Sequence, residues 1–97
     1  MANPAHIALL TDGGVDAWNS WRQAHPGIVP DLVDADLLKA DFGTDRGTGA
    51  NLYRANLRGA NLVGANLHGV NLRDANLTGA HLGFTIWQRK PERCNGP

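Results

Sequence analysis

The dominant pattern in the chain is a five-residue spacing of apolar positions between residues 50 and 83. Leu stands at every fifth position from Leu52 to Leu82, and a small apolar residue stands two positions before each Leu. A β-strand shows apolar residues at every second position and an α-helix at spacings of three and four, so neither regular element explains this period. The spacing predicts a chain that turns by a fixed angle after every five residues, with one small and one large side chain inside.

The same period extends upstream to Pro30. The units PDLVD, ADLLK and ADFGT continue the Leu positions with Leu32, Leu37 and Phe42. The next unit, DRGTG, breaks the pattern, because Asp45 replaces the small residue and Gly47 replaces Leu. Its length is still five, so we expect it to remain in the coil as a loose side or local bulge.

The quintets from Ala50 to Gly83 read ANLYR ANLRG ANLVG ANLHG VNLRD ANLTG AHLG. This run resembles the pentapeptide-repeat family, whose consensus is A-(N/D)-L-x-x. The resemblance implies an all-β solenoid, a right-handed quadrilateral β-helix in which four quintets make one coil. The interior residues that it implies are Leu32, Leu37, Phe42, Leu52, Leu57, Leu62, Leu67, Leu72, Leu77 and Leu82, with Ala35, Ala40, Ala50, Ala55, Ala60, Ala65, Val70, Ala75 and Ala80.

Four quintets per coil also predict which residues stack. Residues 20 apart should lie one above another, so Leu32, Leu52 and Leu72 should form one interior column, and Leu57 should stack on Leu37 and under Leu77. The Asn at the second position of each unit is predicted to form hydrogen-bonded ladders along the stack.

The first 29 residues predict a short α-helical cap. Pro4 suits a first helical turn, and Asp12 is a candidate N-cap for a second helix from about Val15 to Ala24. Trp18 and Trp21 lie on one face of that helix, where they would cover the apolar interior and backbone edge of the first coil. A partner-binding aromatic patch is the alternative. The segment also resembles a leader, GV-x-AWN-x-WR, of bacterial pentapeptide-repeat proteins.

The segment after Gly83 does not continue the repeat. Phe84, Ile86 and Trp87 are predicted either to fold over the last coil or to form an apolar patch, and we favour a homodimer through this end. The domain organisation is therefore a helical cap at 1–29, a β-helix at 30–84 and a tail at 85–97.

Composition is consistent with one small domain. The chain has 97 residues, of which 42% are hydrophobic and 6% aromatic, and its formal net charge is zero. Seven Asp stand against two cations before Arg46, whereas seven Lys and Arg stand against two carboxylates from there on. This asymmetry predicts either complementary contacts between molecules or a solvated surface without a partner.

No constellation in the sequence predicts catalysis. The four histidines lack metal-ligand spacing, and the single Cys94 reads as a spare thiol, so we expect no enzyme activity, no metal and no cofactor. The first ten residues lack a basic segment before an apolar run, and no membrane span is present, so we expect a cytoplasmic protein.

Three functional classes remain open. The first is a structural or protein-interaction module with an unknown protein partner. The second is a DNA mimic that binds DNA gyrase or another type II topoisomerase, as some members of the family do, although that role suits a longer, acidic rod. Direct nucleic-acid binding through the scattered arginines is the weakest of the three.

Overall fold

The N-terminal segment forms the two expected helices. The computed structural model describes residues 2–43, 49–83 and 85. Helix α1 spans Pro4–Thr11 and is capped by the Asn3 side chain, which accepts a hydrogen bond from the Ala5 N–H at 2.9 Å. Helix α2 spans Gly14–Ala24 and ends where the His25 N–H donates to the Trp21 carbonyl, just before Pro26.

The predicted N-cap of the second helix is wrong. Asp12 is the C-cap of α1, where its N–H donates to the Ala8 carbonyl. The N-cap of α2 is Gly13, which has no side chain to accept a hydrogen bond. Because α1 extends through Thr11, Asp12 completes its last turn and cannot also begin α2.

From Pro30 onward the chain winds in stacked levels. Single parallel bridges join the second residue of each quintet to its counterpart one level on, as in Asn51 to Asn71 and Asn61 to His81. Among the described residues, pairing is limited to isolated bridges of this kind, and no longer strand forms. Each level contains four quintets, so we name four sides by their bridging residues: side A (Asp31, Asn56, Asn76), side B (Asp36, Asn61, His81), side C (Asp41, Asn66) and side D (Asn51, Asn71).

Backbone hydrogen bonds between levels repeat on every side. The N–H of the bridging residue donates upward to the small residue of the level before, as in Asn76 to Ala55 at 2.9 Å. The carbonyl of the bridging residue accepts from the Leu above it, as in Leu57 N–H to Asn76 O at 2.8 Å. The N–H and the carbonyl of each inner bridging residue therefore both bond to the level above it.

The corners depend on a left-handed residue at the end of each quintet. Gly59, Gly64, Gly69 and Gly79 have φ between 69° and 74°, as expected for turn glycines repeating with this period. Asp34, Lys39, Arg54 and Asp74 take the same conformation with φ between 57° and 60°. Since a side chain in this region costs free energy, four of the corners are strained relative to the glycine corners.

The interior is apolar and continuous. The fully or almost fully buried positions are the Leu and Ala positions of the quintets together with two residues of the helices, Leu10 and Trp18. Ala40, Val70 and Leu82 are partly buried and pack against this core. The other interior positions named from the sequence are all buried.

The predicted stacking is correct after Ala50 and wrong before it. Asp31, Asp36 and Asp41 pair with residues 25 positions later, Asn56, Asn61 and Asn66. Leu32 therefore lies above Leu57 and not above Leu52. The later bridges keep the expected spacing of 20 residues.

An extra quintet between sides C and D causes this shift. The Ala50 N–H donates to the Phe42 carbonyl at 2.8 Å, which is the same corner bond that Ala40 makes to Leu37 at 3.1 Å. A normal corner has two residues between these partners, whereas here the chain leaves the side at Gly43 and returns at Gly49. The interpretation of DRGTG as one side of the coil is wrong, because the Phe42 to Ala50 bond closes the corner and Gly49, the last residue of DRGTG, lies in that corner. Residues 44–48 lie outside the described residues.

The predicted Asn ladders are also wrong in most places. The side-chain oxygen of Asn51 accepts from the Tyr53 N–H at 3.0 Å, and Asn56, Asn61, Asn66, Asn71 and Asn76 make the same bond two residues on. These side chains stabilise their own turns. One bond between levels is present, from Asn66 Nδ2 to the Asp41 carboxylate at 3.0 Å.

Candidate interaction surface at the first level

Side D has no quintet above it, and the side chains of α2 occupy that position. Trp18 Nε1 donates to the Asn51 carbonyl at 2.8 Å, and the Asn51 N–H donates to Asn19 Oδ1 at 2.7 Å. Arg22 donates from one terminal nitrogen to the Tyr53 carbonyl. In the level below, the equivalent groups of side D bond to backbone. The Asn71 carbonyl accepts from the Leu52 N–H, the Asn71 N–H donates to the Ala50 carbonyl, and the Arg73 carbonyl accepts from the Arg54 N–H. The α2 side chains therefore reproduce the hydrogen bonds of a missing backbone segment.

Helix α1 does the same for side A. The Asn3 N–H donates to the Asp31 carbonyl at 3.0 Å, and the Asp31 N–H donates to His6 Nδ1 at 2.9 Å. A ring nitrogen thus takes the place that a backbone carbonyl fills in the inner levels. Two adjacent sides of the first level are thus closed by groups from the helices.

Arg22 is the buried charge of this cap. Its second terminal nitrogen donates to the Ile28 carbonyl at 2.9 Å, so the guanidinium joins α2, the following loop and side D. The residue is 6% exposed, and burial lowers the pKa of the guanidinium from its ordinary value. The side-chain Nε is buried and has no hydrogen-bond partner among the described residues. A buried guanidinium between two carbonyls fixes the position of the helix at the cost of desolvation.

The two tryptophans have different positions. Trp18 is completely buried and belongs to the core, whereas Trp21 is partly buried and packs against it. Trp21 stacks between His6 and His25, with ring centroids 5.0 and 5.5 Å apart. The apolar spacing of α2 predicts a covering role for both tryptophans but not for Asn19 and Arg22, although the leader motif AWN-x-WR contains both.

A groove runs beside α2 along sides C and D. It has a volume of about 610 Å³ and opens to solvent. Its lining residues are Asn19, Arg22, Gln23, Pro26, Gly49, Asn51, Gly69 and Asn71. Four of these residues carry side-chain amides, so the groove offers hydrogen-bond donors and acceptors, and its lining includes no acidic side chain.

Side B of the first level is built differently from sides A and D. The Asp36 N–H and carbonyl occupy the positions that the helices satisfy at Asp31 and Asn51, yet neither has a partner among the described residues. The Asp36 carboxylate accepts from the Leu38 N–H at 3.3 Å and is exposed. Leu38 is also exposed, at 50%. The first level therefore has a backbone edge that the helices leave open.

The repeat itself is found by comparison with known families. Residues 48–83 match the family model of pentapeptide repeats, in eight copies. This segment belongs to the pentapeptide-repeat family. The helical leader lies outside the matched segment. No curated protein and no solved structure matched this chain significantly.

The proposed C-terminal interface lies outside the described residues. Phe84, Ile86 and Trp87 belong to that part of the chain. Between Phe84 and Ile86, Thr85 closes the corner after side B: its N–H donates to the Leu82 carbonyl at 3.2 Å and its hydroxyl to the Leu62 carbonyl at 3.0 Å.

In residues 2–43, 49–83 and 85, no three His, Cys, Asp or Glu side chains are grouped as metal ligands. In the same part of the chain, neither helix is long and apolar enough to cross a bilayer.

Proposed function

We propose that this chain is a non-enzymatic protein-interaction module of the cytoplasm, built as a right-handed quadrilateral β-helix with an α-helical cap. Four quintets per level and parallel bridges at matching positions support this architecture. Its Leu and Ala side chains are turned inward, so binding falls to the outer sides and the ends.

The observation that carries the proposal is the separation of buried apolar and exposed polar positions within each quintet. The buried positions are apolar, while exposed polar and charged residues such as Arg58 and Arg73 stand on a backbone held by bonds in both directions. The one described group with a displaced pKa is Arg22, and its contacts are with main-chain carbonyls of the loop after α2 and of side D. Rigid display of side chains suits recognition by a partner.

A capture experiment with a folding control tests this function. The wild-type protein and a Leu57→Asp variant, whose charge falls at a completely buried position, are immobilised and exposed to extract of the native cell. We expect one or more proteins to bind the wild type in stoichiometric amount and not the variant. Equal retention by the two, or retention by neither, would exclude an interaction function that depends on the fold.

We also propose a homodimer through the C-terminal end. The support is the sequence: Phe84, Ile86 and Trp87 follow the last quintet directly and are apolar. Light scattering should give twice the monomer mass for the wild type and the monomer mass for an Ile86→Asp, Trp87→Ala variant. A wild-type monomer at high concentration removes this proposal.

We do not propose that the protein binds gyrase as a DNA mimic. No specific observation favours it, since the exposed side chains of the matched segment include Arg54, Arg58 and Arg73.

A further inference from the structure

The top of the first level differs from side to side in how its backbone is satisfied. On sides A and D the bridging residues Asp31 and Asn51 each receive one donor and one acceptor from the helices. On side B the N–H and carbonyl of Asp36 also point upward, because Asp36 holds the same place in its quintet as Asn51. A row of unpaired backbone groups of this kind is a template for another extended chain.

Asp36 is the residue where the open edge can be compared with the closed interior. One level below, the Asn61 N–H donates to the Ala35 carbonyl at 2.9 Å and the Asn61 carbonyl accepts from Leu37 at 2.8 Å. The N–H and carbonyl of Asp36 have no partner among the described residues. A chain added over side B would therefore make to Asp36 the two bonds that Ala35 and Leu37 make to Asn61.

The charges around this edge are acidic. Asp36 and Asp41 are exposed, Asp36 on side B and Asp41 at the equivalent position of the adjacent side C. Asp41 accepts one hydrogen bond, from Asn66, which leaves the rest of its carboxylate for other donors. Lys39 lies between them, but its side chain leans down over Gly64, with its Cγ 3.1 Å from the position of a Cβ there. The aliphatic stem of Lys39 thus lies against the second level.

We propose that the open edge of side B binds an extended, basic segment of a partner protein by adding it as a further backbone layer. The segment donates and accepts through its main chain at Asp36, places Lys or Arg side chains beside Asp36 and Asp41, and covers Leu38. Main-chain bonds supply affinity in this mode and the flanking side chains supply specificity. The inference names the binding surface of the interaction module proposed above and so rests on it.

A matched pair of substitutions isolates the backbone donor. Asp36→Ala and Asp36→Pro remove the same carboxylate, but only the second removes the N–H. Pro is accepted at a sheet edge where the N–H faces solvent. The Asn61 N–H donates to the Ala35 carbonyl, so Asn61→Pro should lower the melting temperature clearly. Asp36→Pro and Asp36→Ala should have the same melting temperature. Unfolding of Asp36→Pro alone would show that the edge is already occupied and would overturn the proposal.

The binding probe is a fluorescein-labelled synthetic peptide of sequence KVKTKVK, with EVETEVE as its charge-reversed control. Fluorescence anisotropy should show saturable binding of the basic peptide only. Asp36→Pro should weaken it roughly tenfold relative to Asp36→Ala, the effect of one lost hydrogen bond. An Asp36→Asn, Asp41→Asn variant should weaken it several-fold and reduce its salt dependence, while Asp16→Asn on the exposed face of α2 should leave it unchanged.

Amide hydrogen exchange gives an independent measurement. In the free protein the Asp36 amide should exchange rapidly and the Asn61 amide slowly, and the basic peptide should protect Asp36. Equal binding of both peptides, equal binding by the Ala and Pro variants, or absence of protection at Asp36 would each overturn the proposal. Dimers in light scattering that Asp36→Pro abolishes would assign the edge to a second copy and would also overturn it.

The two proposals fail separately. If cellular partners are captured by the wild type and equally by Asp36→Pro, the interaction function stands and this surface is wrong. If no partner is captured by a folded wild-type protein, the function itself fails.

Discussion

The indole N–H of Trp18 donates to the main-chain carbonyl of Asn51 at 2.8 Å, across 33 positions of sequence. This contact joins the buried face of α2 to the first quintet after the extra segment. In the inner levels the same carbonyl position accepts from a Leu N–H, so an aromatic side chain here performs the role of a backbone amide. Trp18 is therefore both a core residue and a hydrogen-bonding cap.

Trp18→Phe should destabilise the protein by about 1–3 kcal/mol, because the Asn51 carbonyl loses its donor while most of the ring volume remains. Trp21→Phe is the matched control, since Trp21 is partly buried and packs by its rings, and it should cost less. Urea unfolding followed by circular dichroism gives both values. A smaller effect at Trp18 than at Trp21 would show that the hydrogen bond contributes little.

Deletion of residues 44–48 should leave the fold intact and raise the melting temperature slightly. The Phe42 carbonyl and the Ala50 N–H already form the corner bond at 2.8 Å, and a shorter connection lowers the entropic cost of closing it. Deletion of residues 54–58 removes the same number of residues but takes Leu57 from the core, so it should unfold the protein or lower its melting temperature sharply. Thermal melts compare the two, and similar losses would contradict the register described here.

Gly49→Ala should be strongly destabilising, by about 1–3 kcal/mol, because the corner brings backbone atoms too close for a side chain. A Cβ at this position would lie 2.7 Å from the Phe42 carbonyl oxygen and 3.0 Å from the Val70 nitrogen. At Gly27 nothing lies within 4 Å of the same atom, so Gly27→Ala should be neutral or stabilising by about 0.4–1 kcal/mol. Chemical unfolding of both variants decides, and equal stabilities would mean that the corner is loose.

Lys39→Gly should stabilise the protein by up to about 1 kcal/mol. Lys39 holds φ at 57°, a conformation that costs a side chain about 1–2 kcal/mol and glycine little. Arg58→Gly removes a similar exposed cation from the preceding position of a quintet, where φ is not positive, and should cost about 0.5–1 kcal/mol. Opposite signs in the unfolding free energies are the expected result. A loss of stability in both variants would count against strain at the corners.

The repeat could be predicted almost completely, since its information is local. Each quintet carries its own small residue, its own Leu and its own turn, so Leu57 or Ala60 is placed inside by the pattern alone. The helix bounds were also close to those observed, because Pro4 and Pro26 mark local starts and stops. The N-cap of α2 was wrong because two neighbouring helices compete for Asp12.

The cap could be predicted only in part. Apolar spacing identified Trp18 as a covering residue, but no local rule indicates that Asn19 and Arg22 bond to side D. Those partners are 31 or more positions away in sequence. The open edge at Asp36 was equally hidden, since Asp36 and Asp31 occupy equivalent places in their quintets and differ only in what lies above them.

The sequence by itself determined the five-residue period, the identity of the inward residues and the positions of the turns, because side-chain size and backbone preference act within one quintet. Only the tertiary structure decided the register between levels and the state of the first edge. Five additional residues between two sides do not change the period of the pattern, so Leu32 above Leu52 and Leu32 above Leu57 look alike along the chain. Hydrogen bonds between levels distinguish them, and those bonds exist only when the chain has closed upon itself.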